Sequence, residues 1–185
     1  CALEQNLDIA ATRKNYVDYL AHRPRVEKIG EHGLFTDEGE PVVLGQVQNQ
    51  VADHKGIVWT HVISLRREDA ARLGYDSAVQ WMALLRSKRA MLCKHMKIDS
   101  ANLKWYAAFH NESHHPHVHL LVYSVKDGEG YLTKQSIEAM RSELAHDIFR
   151  QDFANIYEEQ AQSRMDLKER SEVVMKTWID EIRAG

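Results

Sequence analysis

The sequence predicts an α+β fold, in which helices cover an antiparallel β-sheet and a long helical part follows at the C-terminal end. Residues 57–65 are β-branched and aromatic, which is typical of a buried strand. Residues 103–110 and 117–125 have similar composition, and the short connection between them indicates a β-hairpin. Residues 67–97 and 133–184 carry apolar side chains at helical spacing.

The region before these elements predicts a helix and a long loop. Thr12 is a suitable N-cap for a helix over residues 13–23. Pro24 ends that helix, because the residue before a proline is disfavoured in the α conformation. Apolar residues between positions 3 and 9 suggest a short strand. Residues 25–45 are rich in glycine and predict a loop of a length that is often functional.

Apolar stripes in the two helical regions predict core packing. The first region divides at Gly74, and its stripe comprises Val79, Met82, Leu85, Met91, Leu92 and Met96. One face of the second region carries Ile137, Met140, Leu144 and Ile148. We also expect four ring side chains in the core rather than in a binding site, with His61 hydrogen-bonded there: His61, Trp59, Trp81 and Trp105.

Composition excludes several classes of protein. The 185 residues are 44% hydrophobic and 28% charged, so the chain is long and apolar enough to form one folded domain. No apolar stretch is long enough to span a membrane, and the beginning of the chain lacks the pattern of a secretion signal. Cys1 and Cys93 are the only cysteines, which excludes a disulfide framework. We therefore expect a cytoplasmic protein without membrane insertion.

The charge distribution limits the surface available to a nucleic acid. The net charge is −3, composed of +1 in residues 1–125 and −4 in residues 126–185. A generally basic nucleic-acid-binding protein is thus excluded. Any such binding requires a local surface in the first two thirds of the chain.

Five of the eleven histidines lie between positions 110 and 119. His117 and His119 share one face of a strand, because side chains alternate along it. If the hairpin places His110 opposite His117, His110 joins that face. Three neutral imidazoles of this kind can bind a divalent cation and leave coordination positions open. Glu112 in the connecting loop is placed to orient one of these imidazoles.

Two tyrosines on the N-terminal helix provide a nucleophile for such a site. Tyr16 and Tyr19 are three residues apart and therefore lie on roughly one face. A nearby cation or base makes a phenol competent by stabilising its phenolate form. Attack on a phosphodiester would give a phosphotyrosine ester, which conserves the energy of the broken bond and allows rejoining without ATP. The residues alone leave ordinary packing as the alternative for both tyrosines.

These motifs resemble those of conjugative relaxases, the HUH single-strand endonucleases. Residues 110–119 (HNESHHPHVH) are similar to their third motif, in which two histidines flank a hydrophobic residue and a third lies upstream. Residues 15–21 (NYVDYLA) are similar to the first motif of the MOB-P class. The strings TRKNYVDYLAHRP, HGLFTD, WTHVISLRREDAARLGY and WYAAFHNESHHPHVHLLVYS together resemble the MobL-type relaxases. The resemblance spans about residues 7–160.

The resemblance implies an enzyme that nicks one DNA strand at an origin of transfer, remains on the new 5′ end and later reseals the strand. It implies Tyr19 as the nucleophile and Tyr16 as its reserve. It also implies one divalent ion (Mn, Mg, Zn or Ni), accessory relaxosome proteins and a coupling protein. Glu112 stands where the family usually has aspartate. We expect residues 1–160 to form the nuclease domain and residues 161–185 a helical extension of a longer protein.

Binding of single-stranded DNA needs cationic groups along the backbone path. The candidates near the tyrosine helix and at one strand end are Arg13, Lys14, Arg23, Arg25, Lys28, Arg66 and Arg67.

Three other functions fit part of the sequence. A histidine-triad nucleotide hydrolase would use the alternating histidines at positions 115, 117 and 119, but Pro116 is unfavourable inside a strand. A rolling-circle replication initiator would use the downstream Tyr131 or Tyr157. A metal-stabilised DNA-binding module would bind DNA without cleaving it.

Overall fold

The computed structural model describes residues 2–4, 10–37 and 41–184. Its elements are β1 (Ala2–Glu4), α1 (Ala10–His22), β2 (Leu34–Phe35), α2 (Leu44–Asp53), β3 (Val58–Ser64), α3 (Arg67–Leu73), α4 (Ala78–Ser87), α5 (Arg89–Met96), β4 (Leu103–His110), β5 (His117–Ser124), α6 (Lys134–Ile148) and α7 (Arg150–Ala184). The strands form one antiparallel sheet in the order β1-β3-β5-β4-β2. The α+β class and the long helical C-terminal part are therefore confirmed.

The chain divides into two compact units, Cys1–Ser142 and Glu143–Gly185. The first contains the sheet and helices α1 to α5. The second contains the end of α6 and all of α7. The boundary expected at residue 160 lies inside α7, which continues without interruption from Arg150 to Ala184.

The β4–β5 hairpin has the predicted register, and its bounds agree with the prediction except that β5 ends at Ser124, one residue early. Leu103 lies opposite Ser124 at the open end, and His110 lies opposite His117 next to the connection. Strand β5 also pairs with β3 on its other side, where Val62 lies opposite His119. The hairpin is thus the centre of the sheet, and its geometry is fixed from both sides.

Helices cover both faces of the sheet. On one face, α1 and α2 pack through Val17, Leu20, Val47 and Val51 against strand residues such as Leu121. On the opposite face, the Trp81 ring of α4 stacks on Phe109 of β4, with ring centroids 6.1 Å apart. As predicted, the three tryptophans Trp59, Trp81 and Trp105 are buried. These two layers hold the sheet rigidly between them.

The structure differs from the sequence expectations around α1. The helix begins at Ala10, so Thr12 lies inside it and is not the N-cap. Two consecutive alanines precede Thr12, and alanine has the highest helix propensity of any residue. The helix ends at His22, one residue before the predicted end at Arg23 and two residues before Pro24. Most of the strand expected around residues 3–9 lies outside the described residues, and β1 covers its beginning.

The predicted loop over residues 25–45 contains the short strand β2 and the first residues of α2. Helix α2 was not predicted, because it lacks a side-chain cap at its N-terminus and is rich in glutamine and asparagine. The signal that identifies it is the spacing of Val47 and Val51, which are buried four residues apart.

The first helical region forms three helices rather than two. Gly74 ends α3 in the left-handed conformation (φ 77°), which confirms the predicted break and favours glycine there. A second break at Lys88 separates α4 from α5. Val79 was predicted to pack in the core, which is wrong, since its side chain is 63% exposed. The buried face of α4 instead comprises Ala78, Trp81, Leu84 and Leu85.

The second helical region divides at Phe149 into α6 and α7. Of its predicted face, Met140, Leu144 and Ile148 are buried. No helix among the described residues is long and apolar enough to cross a membrane.

His61 of β3 is in the core, as predicted, but its hydrogen bonding is incomplete. It lies opposite Leu120, and therefore on the face away from His119. Its side chain is 6% exposed and its Nε2 atom has no hydrogen-bond partner among the described residues. Burial lowers the pKa of His61 from 6.5 to about 4. The ring is consequently neutral in the folded protein at neutral pH.

We predict that His61 makes the protein less stable in mild acid. The unfolded chain takes up a proton at this ring below pH 6.5, whereas the folded chain does so only near pH 4. The free energy of unfolding should therefore fall by up to about 1.4 kcal/mol per pH unit in this window from His61 alone. Urea unfolding at several pH values should show a shallower fall for His61→Leu. An unchanged slope in His61→Leu, equal to that of the exposed-loop control His115→Leu, would contradict the assignment.

Candidate metal centre

Three imidazoles meet at the closed end of the β4–β5 hairpin. His110 ends β4, and His117 begins β5 directly opposite. His119 lies two residues further along β5 and thus on the same face. The three ring centroids are 5.0 to 5.2 Å apart, and one nitrogen from each ring lies within 4.8 Å of the others. The predicted convergence of the three histidines is present.

Burial keeps two of these rings in the form that binds metal. Burial, followed by the neighbouring His117 and Arg23, lowers the pKa of His110 to about 4. Burial, together with His110, His117 and Arg23, lowers the pKa of His119 to about 3. Both imidazoles are therefore neutral at pH 7, and a metal ligand must be deprotonated.

Unsatisfied nitrogen atoms show that these residues fit a cation. Both ring nitrogens of His110 and the Nε2 atom of His119 are buried without a hydrogen-bond partner among the described residues. Buried polar atoms of this kind are rare and call for an explanation. A divalent ion held by the three rings explains one such nitrogen on His110 and the one on His119, because each ring offers the ion a single nitrogen lone pair.

A backbone carbonyl orients His117. Its Nδ1 atom lies 2.9 Å from the carbonyl oxygen of His115. Because a carbonyl can only accept, Nδ1 carries the proton and Nε2 is free to bind a cation. The carboxylate expected in this role is elsewhere, since Glu112 Oε2 accepts from Arg25 Nη1 at 2.5 Å.

The connection between the strands is held from two sides. The Arg67 guanidinium donates to the Asn111 side chain at 2.6 Å, to the Ser113 carbonyl at 3.2 Å and to the Glu112 carbonyl. On the other side, the backbone N–H of Asn111 donates to the backbone carbonyl of Arg25 at 2.8 Å. The closed end of the hairpin is therefore fixed by side chains as well as by strand pairing.

Helix α1 brings the two tyrosines to the same site. The Tyr16 hydroxyl lies 3.5 Å from His119 Nδ1. The Tyr19 ring stacks on the Tyr16 ring with centroids 6.4 Å apart, and its side chain is 47% exposed. Val17 and Leu20 on the same helix are buried in the core, so the position of α1 above the sheet is fixed.

A phenol beside three converging histidines is the arrangement that the sequence motifs predicted. The model of the MobL relaxase family matches residues 10–183. The chain belongs to the MobL relaxases. It is therefore a DNA-nicking enzyme of conjugative mobilisation, and its DNA is an origin of transfer. No curated protein and no solved structure matches the chain.

The structure divides the cations expected to bind DNA into two groups. In this MobL relaxase Arg13 is 6% exposed, and its guanidinium donates to the backbone carbonyls of His54 and Gly56. Arg13 thus holds the end of α2 and is not available to DNA, contrary to expectation. Arg67 is likewise engaged with the hairpin connection. Apart from Arg67, which is partly exposed, the cations of this set that reach the surface wholly or in part are Lys14, Arg23, Arg25, Lys28 and Arg66.

Two of the alternative active sites are not assembled among the described residues of the relaxase. His115 is exposed and lies before β5 begins, so it does not continue the alternation of His117 and His119. Tyr131 follows Gly130, whose carbonyl accepts from the Trp59 indole at 2.6 Å. Trp59 lies at the end of β3 away from the histidines. Neither a histidine triad nor a Tyr131 nucleophile is therefore supported by the geometry.

Sequence reasoning missed three contributors to the site. The Tyr16–His119 contact depends on the height of α1 above the sheet, which no local pattern encodes. The His115 carbonyl carries no sequence signal, since every residue has one. Arg67 gave a signal only as a cation near a strand end, and its partners are the Asn111 side chain and two backbone carbonyls in a loop more than 40 residues away.

We predict that Mn²⁺ stabilises the relaxase through the three histidines. A ligand at 100 times its Kd stabilises the folded state by about 2.7 kcal/mol, which raises the melting temperature by several degrees. His119→Ala should lose most of this shift in a thermal melt with and without Mn²⁺. The exposed-loop variant His114→Ala serves as the control and should keep it. An equal shift in both variants would place the ion elsewhere.

Proposed function

We propose that the relaxase nicks and rejoins one DNA strand by metal-dependent, tyrosine-mediated transesterification at its origin of transfer. The observation that carries this proposal is the position of α1, which sets the Tyr16 hydroxyl 3.5 Å from His119 and stacks Tyr19 beside it. A nucleophile and a metal-binding set lie together there. This juxtaposition is what the reaction requires.

His110, His117 and His119 would hold one divalent ion. When bound, the ion supplies Lewis acidity to a non-bridging oxygen of the phosphodiester. Three imidazoles favour Mn, Zn or Ni over Mg, because Mg prefers oxygen ligands.

Tyr19 is the proposed nucleophile. Its side chain is half exposed, so a DNA strand can reach the phenol oxygen. That oxygen forms a bond to phosphorus while the bond from phosphorus to the 3′ oxygen breaks. The phenol proton leaves to solvent, the 5′ phosphate remains on Tyr19, and the departing 3′ oxygen takes a proton from solvent to become a 3′ hydroxyl. Reversal of the same exchange rejoins the strand.

Tyr16 is proposed as a positioning residue and as the reserve nucleophile. Its oxygen can accept from His119 Nδ1, which leaves Nε2 of that ring for the cation. In this role a Phe substitution weakens metal binding but keeps covalent chemistry. If Tyr16 were the nucleophile, the same substitution would instead abolish the covalent adduct between protein and DNA. The two roles therefore give opposite results in one assay.

Glu112 is proposed to act on the catalytic hairpin through Arg25. Its carboxylate fixes Arg25, whose carbonyl in turn holds the Asn111 amide. Exposed and partly exposed cations are proposed to follow the DNA backbone. They are Lys14, Arg23, Arg25, Lys28 and Arg66.

We also propose that accessory relaxosome proteins and a coupling protein act with this chain, as in other systems of conjugative mobilisation. In this proposal residues 1–160 carry the nicking chemistry and residues 161–185 are a helical extension.

The decisive variant is Tyr19→Phe. Wild-type protein with Mn²⁺ should form an SDS-stable adduct with single-stranded oligonucleotides tiled across the intergenic DNA beside its own gene, and should release a product with an extendable 3′ end. Tyr19→Phe removes the attacking oxygen and should abolish the adduct, whereas Tyr16→Phe should keep it at a reduced rate. Tyr131→Phe is the matched control with an exposed phenol.

Two outcomes would overturn the proposal. Loss of the adduct in Tyr131→Phe with retention in Tyr19→Phe would indicate a replication initiator. DNA binding by the wild type without any adduct would indicate a non-catalytic binding module. Adduct formation that persists after complete metal removal with EDTA would refute the metal dependence alone.

A further inference from the structure

Arg23 directly follows α1, the helix that carries Tyr16 and Tyr19 and that we call the tyrosine helix. Its backbone amide donates to the Tyr19 carbonyl at 2.9 Å, so it continues the helical path one turn beyond Tyr19. Its guanidinium carbon lies 5.4 Å from the centroid of the Tyr19 ring. Tyr16, Tyr19 and Arg23 thus form a continuous row that begins at His119.

The neighbouring arginines differ from Arg23 in their partners. Arg13 donates to two backbone carbonyls, and Arg25 pairs with Glu112. Arg67 donates to the hairpin connection. No carboxylate pairs with Arg23 within residues 2–4, 10–37 and 41–184, since the nearby Asp18 contacts His22 instead. Arg23 is therefore a partly exposed guanidinium without a counter-ion in the part of the chain that the structure describes.

Arg23 brings positive charge to the site of the three histidines. Arg23 lies close enough to the histidines to act on His110 and His119 electrostatically. These rings are neutral, and the ion that they would hold is positive. An anion between them would offset this excess of positive charge. A phosphodiester carries one negative charge on two non-bridging oxygens and matches the planar donor pair of a guanidinium.

We infer that Arg23 is a catalytic residue that binds the non-bridging oxygens of the scissile phosphate. The inference rests on the proposed function and deepens it, since it separates Arg23 from cations that only follow the backbone. As the Tyr19 oxygen attacks, negative charge grows on these oxygens, and the guanidinium beside the Tyr19 ring stabilises it. No proton is transferred by Arg23, which stays charged throughout.

The test compares Arg23→Gln and Arg23→Lys with Lys104→Gln, which removes an exposed charge at the other end of β4. The first readout is binding of the cleavable oligonucleotide in EDTA, measured by fluorescence anisotropy at several salt concentrations. Arg23→Gln should lower the magnitude of the slope of log K against log salt by about 0.7, because one phosphate contact is lost. The second readout is the rate of adduct formation with Mn²⁺. It should fall by about 10² to 10³-fold in Arg23→Gln.

Arg23→Lys should keep the slope and recover only part of the rate, since it retains the charge but not the donor pair. A rate in Arg23→Gln equal to that of Lys104→Gln would overturn the inference, whether or not the salt slope changes. If Arg23→Gln fails to fold in a thermal melt, Arg23→Lys decides, and an unchanged rate there overturns the inference. Absence of any wild-type adduct would overturn the proposed function first and this inference with it.

Discussion

The register of one hairpin determines the rest of the site. Because His110 lies directly opposite His117, the alternation of side chains places His119 on the same face. A shift of one residue would move His117 and His119 to the face of Trp81 and leave His110 alone. The pairing of β5 with β3 and the bonds of Arg67 and Arg25 to the connection oppose such a shift.

The site also requires that α1 lie at the right distance from the sheet and with the right rotation about its own axis. Val17, Leu20 and Ala21 are buried against the sheet, which turns Tyr16 toward His119 and leaves Tyr19 half exposed. A buried aliphatic face and a reactive polar face therefore share one helix of 13 residues. The packing that forms the core therefore also sets the distance between the Tyr16 phenol and the His119 imidazole.

Much of the sheet could be predicted from sequence, because strand alternation and hairpin spacing are local signals. His110, His117 and His119 follow from that pattern and lie together in the structure. The beginning of α1 was missed because Thr12 suggested a cap inside the helix, and α2 was missed because it has no side-chain cap at its N-terminus. Arg13 was misassigned because its charge suggested a surface role, whereas its partners are carbonyls more than 40 residues away. Long-range partners of this kind have no local signature.

The central claim is that one cation binds between the two strands within reach of the tyrosine helix. Anomalous diffraction from crystals grown with Mn²⁺ tests it most directly. The expected result is a single strong peak at about 2.0 to 2.3 Å from one nitrogen each of His110, His117 and His119, on the side that faces α1. A peak bound by other residues, or histidine rings that turn away from one another in the presence of the ion, would contradict it.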